Sequence, residues 1–160
     1  MTRIRFSGCV LSLGDEAPRW AKATIALVGE KLPKMVELSE PRQLDEVERS
    51  LLDFILAEPN VLPELLAQAA SAQVISTCDC GCRSVGLAPD PAAPDAAYDA
   101  VHGTVGLTAE GLSNKGTEVE VTLHVVFDRM TELEIWDGAF TNGESRGELP
   151  DITTLQYRKI

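Results

Sequence analysis

EVEVTLHVVF, residues 118–127, is the stretch whose reading decides the fold. Val119, Val121, Leu123, Val125 and Phe127 alternate with Glu118, Glu120, Thr122 and His124. A period of two marks a strand with one face in a core and the other in water. Downstream, Asp128-Arg129-Met130 reads as a turn into a second strand over Glu132 to Trp136, with Leu133 and Ile135 inward. Upstream, Glu110 to Gly116 has turn chemistry throughout, and Val101 to Thr108 supplies a partner strand with Val101, Val105 and Leu107 on one face. Gln73 to Cys78 and Ser84 to Ala88 read as a further hairpin, and Ile152 to Ile160 as an edge strand.

Before Ala72 the period is that of a helix. Asp15 caps a first helix with Pro18 in its opening turn, and Trp20, Thr24, Leu27 and Val28 share one face between Asp15 and the Gly29 and Pro33 boundary. A second helix opens with Ser39 as N-cap and Pro41 in its first turn. Its apolar stripe is Leu44, Val47, Leu51, Phe54 and Ile55, with Arg42, Asp45, Glu46 and Arg49 pointing away and Pro59 as the stop. Asn60 caps a short third helix whose Leu62, Leu65, Leu66 and Ala69 face inward. Helices first and antiparallel strands after them predict an α+β fold, with N-terminal helices packed on one face of a sheet of about four to six strands. One domain spans residues 1–160, helical over about 15–70, sheet over about 72–137, with an irregular tail at 138–160. The proline-rich run from Ala88 to Asp95 is a surface loop within it.

The 44% apolar content supports a core that needs neither metal nor disulfide to fold. With 14 basic and 25 acidic residues the net charge is −11, which repels phosphate backbones and anionic lipid. The expectation is no nucleic acid, no membrane, and a basic protein as the partner such a surface would favour. Phe6-Ser7-Gly8-Cys9 ends like a bacterial lipoprotein box, but only Met1, Ile4 and Phe6 are apolar before Cys9, so a cytoplasmic chain with reduced thiols is expected.

Three of the four cysteines lie in Cys78-Asp79-Cys80-Gly81-Cys82, the connection of the first hairpin. Thiols this close are a metal or redox site, or small apolar residues at a tight turn with Gly81 chosen for positive φ. Zinc takes four Cys or His ligands, so Cys9, His102 or His124 would complete a set with Cys78, Cys80 and Cys82. A turn centred on Ser113 would set His102 opposite His124 and Thr104 opposite Thr122; registers two residues off fit the apolar pattern equally. For redox chemistry, Arg83 and turn amides would stabilise a thiolate at Cys80 or Cys82, while Asp79 would oppose it. Glu118, Glu120, Glu132 and Glu134 form an outward acidic ladder beside Trp136. The common hydrolase, protease and nucleotide-binding signatures are absent, so no catalytic residue and no resident cofactor are expected, with zinc the alternative.

The opening C-x-C-G of this cluster resembles the small zinc motif at the C-terminus of the SecA translocase. The positions of that motif's second ligand pair are held here by Pro89 and Asp90, neither of them a Cys or a His. The hairpin Val121 to Trp136 and the later Leu149-Pro150-Asp151 resemble a closing segment of small uncharacterised bacterial proteins, some of which carry a C-x-C-G-C turn. Hairpins of the ELEI kind are also similar to those of immunity proteins that neutralise bacterial toxins. That likeness implies a non-catalytic protein-contact domain. The contact surface expected is the polar sheet face with Thr104, Thr122, His124, Glu134 and Trp136, and the alternative is a zinc or thiol module at the cysteine turn.

Overall fold

A computed structural model describes residues 34–98, 103–138 and 146–158. The first expected helix, Cys9, Val101 and His102 lie outside those residues. Among the described residues the architecture is α+β: one antiparallel sheet of seven strands in the order β1-β2-β3-β6-β5-β4-β7, with two helices. The strands are β1 (Met35–Arg42), β2 (Gln73–Cys78), β3 (Val85–Ala88), β4 (Thr104–Leu112), β5 (Glu118–Val126), β6 (Arg129–Trp136) and β7 (Gln156–Tyr157). Helix α1 (Glu46–Leu56) packs against β4 and β5, and α2 (Pro63–Ser71) against β6.

Strand β5 is central and behaves as its pattern requires. Val119, Val121, Leu123 and Val125 are buried to 1% exposure or less, facing a core that includes Leu51, Leu52, Ile55 and Leu65 of the helices. Burial of each such side chain is worth about 1.5–3 kcal/mol, which fixes the face of the strand.

Three expectations are corrected. A strand precedes the helices, because 35–42 pairs antiparallel with β2 as the sheet's edge, and the strand count exceeds four to six. Proline is tolerated at an edge, so Pro41 lies in β1 instead of opening a helix. The N-cap is accordingly Asp45, not Ser39. Asp45 Oδ1 accepts from the Glu48 amide and Glu48 Oε2 accepts from the Asp45 amide, both at 2.8 Å. Arg42 does not point away: its guanidinium donates to both Glu48 oxygens, at 2.8 and 2.7 Å, neutralising a carboxylate that is almost fully buried. The stripe also rotates, since Leu52 and Leu56 are buried while Val47 and, on α2, Leu66 are exposed.

The third correction is register. The β4–β5 turn occupies Ser113 to Gly116, so Gly106, not His102, faces His124, and Thr108, not Thr104, faces Thr122. The β5–β6 turn is Phe127-Asp128, both with left-handed φ (47° and 66°), one residue earlier than expected, and Arg129 already belongs to β6. The tail adds only the two-residue β7, preceded by a 3-10 turn at Ile152–Thr154. Tyr157 anchors it by stacking on Phe54 (ring centroids 5.0 Å) and donating to the Phe54 carbonyl at 2.7 Å.

Gln68 links α2 to the sheet and to the proline-rich loop. Its fully buried amide donates to the carbonyls of Pro94 (2.8 Å) and Asp128 (2.9 Å) and accepts from the Met130 amide (2.9 Å).

Candidate metal centre at the cysteine turn

β2 ends in Cys78, and the chain must reverse before Val85 to enter β3. Gly81, at φ 84°, supplies the left-handed residue that this reversal needs. Asp79 pins the turn to the start of β1, its amide donating to the Lys34 carbonyl (2.9 Å) and its Oδ1 accepting from the Lys34 amide (2.7 Å). The turn is therefore held by backbone on two strands.

On this turn the Sγ atoms of Cys78, Cys80 and Cys82 all lie within 4.8 Å of one another, Cys78 and Cys80 at 3.0 Å. Two sulfurs bound tetrahedrally to one zinc at 2.3 Å stand about 3.8 Å apart. The Cys78–Cys80 contact is shorter than that value, and no separation in the set exceeds 4.8 Å. Cys78 is buried, and Cys80 and Cys82 are half-buried. Burial first, and then the sulfur contact with Cys78, pushes the Cys80 thiol up to about 12. Such a group is a thiol at neutral pH and a poor nucleophile, which counts against redox or covalent use. Arg83, a possible activator of these thiols, instead meets Asp45 at 3.4 Å on the surface.

A bulge between Val74 and Ser76 turns the last part of β2 toward the sheet face away from the helices. Across that face the register places Glu37, Ser76, Gly86, Glu132, His124 and Gly106 in one row from β1 to β4. Gly86 is required by the close approach of its neighbour: a Cβ there would stand 2.0 Å from Ser76 Oγ. His124 Nε2 is bonded to Glu134 Oε2 at 2.7 Å. Burial alone would lower the His124 pKa, but this bond and the charges of Glu134, Glu132 and Glu120 raise it overall. Glu132 is pushed up to about 7, mainly by burial, with the charges of Glu134 and Cys82 adding to the rise and His124 opposing it. Its Oε1 is buried with no hydrogen-bond partner.

Of the metal ligands expected from sequence, the structure brings Cys78, Cys80 and Cys82 together. His124 is not in that set and is engaged by Glu134, while His102 lies outside the described residues. Of the expected contact surface, Thr104 is exposed at the far end of β4 opposite Val126, and Thr122 is buried and shares a 3.0 Å hydroxyl contact with Thr108. Trp136 is 38% exposed, opposite Glu120 on β5. Glu132 stands out from the acidic ladder only through its surroundings; alternation alone made it equivalent to Glu134.

No helix among the described residues is long and apolar enough to cross a membrane. No family model matches the chain, and neither the curated proteins nor the solved structures contain a match to it.

Proposed function

We propose that this chain is a metal-binding module whose ion, zinc by the chemistry of the donors, is held by Cys78, Cys80 and Cys82. The observation that carries the reading is three sulfurs within 4.8 Å on a turn fixed to β1 and β2. Soft thiolates suit zinc and other thiophilic ions. Cys80 and Cys82 are half-buried on a connecting turn, so packing of the core does not account for them. Protein purified without chelator under reducing conditions should carry one zinc per chain. Cys80→Ser should lose it while keeping the far-ultraviolet circular dichroism of the parent. Metal-free parent protein, or zinc retained by C80S, would overturn the reading.

A second reading, contact with a basic protein partner as in the immunity-type likeness, is favoured by Trp136, 38% exposed and opposite Glu120. It predicts salt-dependent binding of a basic protein that Trp136→Ala abolishes. Binding unchanged in W136A would remove its basis.

A further inference from the structure

We propose that Glu132 is the oxygen ligand that completes the three-thiol site, an inference that rests on the metal-binding reading above. Zinc takes four ligands, and the turn supplies three. His124 is committed to Glu134 at 2.7 Å, and Asp79 to the Lys34 amide at 2.7 Å. Glu132 differs from both. Its Oε1 is the one buried side-chain oxygen or nitrogen among the described residues that has no hydrogen-bond partner. Buried polar atoms are almost always satisfied, so an orphaned carboxylate oxygen marks a place where something else binds.

The register says what that is. Glu132 faces Gly86 on β3, and Gly86 faces Ser76 on β2, two residues before Cys78 and on the same face of the sheet. Gly86 itself adds no side chain to this row, and the space over it is taken by Ser76 Oγ and the end of the Met35 side chain. The three sulfurs alone form the set within 4.8 Å, so the carboxylate joins the ion by turning about its side-chain torsions. Its Oε1 breaks no hydrogen bond in doing so.

Cobalt(II) titration of the reduced, metal-free full chain tests this, because thiolate-to-cobalt charge transfer counts sulfurs and the d–d bands report the whole ligand set. E132Q should keep the charge-transfer band, shift the d–d bands and weaken binding at least about tenfold. E132C should raise the charge-transfer intensity by about a third, four thiolates in place of three. An E132Q spectrum and affinity equal to the parent's, or no added intensity in E132C, would overturn the assignment while leaving the three-thiol site standing. A parent chain with no charge-transfer band would overturn both.

Discussion

Zinc uptake should depend steeply on pH, and Cys80 sets the minimum slope. A metal-bound sulfur is a thiolate, so any proton on the free thiol must leave when the ion enters. The Cys80 thiol is pushed up to about 12 by burial and by its contact with Cys78, and so carries its proton across the neutral and mildly alkaline range. Expulsion of that one proton tightens binding about tenfold per pH unit, or about a hundredfold between about pH 7 and about pH 9. The assay is competition against a chromophoric zinc chelator at each pH, corrected for the chelator's own protonation. A gradient of log K against pH below one in this range would mean that Cys80 is not a ligand or is not protonated when free. Either result refutes the chemistry argued for the turn.

Three further outcomes are expected. Gln68→Leu deletes three hydrogen bonds and leaves the Pro94 carbonyl and the Met130 amide without that partner, the Asp128 carbonyl keeping the Ala96 amide, so urea denaturation should show a loss of about 2–5 kcal/mol; a loss under about 1 kcal/mol would show that the network is replaceable. Gly86→Ala sets a Cβ against Ser76 Oγ and should cost about 1–3 kcal/mol, most of it recovered in the double variant with Ser76→Ala; no recovery would place the clash elsewhere. In metal-free protein burial pushes Glu132 up to about 7 in the fold from an ordinary value of about 4.5, so its contribution to stability is complete below about pH 4.5 and is lost as pH rises toward about 7, by about 3 kcal/mol at about 1.36 kcal/mol per unit. His124, whose pKa is also raised, acts with the same sign, its contribution being present below about 6.5 and lost above its folded value. Chemical denaturation of the parent and E132Q across this window should therefore diverge as pH rises, with the parent falling relative to the variant; parallel curves would contradict the placement of Glu132 in a desolvated row.

The site was legible in part. A run of three cysteines between two strand patterns is local information, and so was the need for positive φ at Gly81. The identity of a fourth group was not, because it depends on which strands become neighbours. The histidine pair considered across β4 and β5 failed for a related reason. Alternation specifies which face a residue occupies, but any even shift preserves every face, and the turn at Ser113 to Gly116 set the pairing four residues away from the one that places His102 opposite His124.

β1 shows the same division. Met35 to Arg42 contains Pro41 and three charged residues, with only its inner edge paired, so neither propensity nor alternation announces a strand. Its strand character comes from the edge that β2 offers it. Helix α1, in contrast, carried its own start signal in Asp45-x-x-Glu48, which reading Ser39 as the N-cap passed over. By itself the sequence determined the α+β class, the central strand 118–126 and its buried face, and the gathering of thiols at one turn, because each follows from periodicity or from residues a few positions apart. Only the tertiary structure decided the seven-strand order, the pairing of His124 with Glu134, and the burial of a Glu132 oxygen without a hydrogen-bond partner. Those properties arise where segments far apart in the chain exclude water from one another, and no local pattern encodes that exclusion.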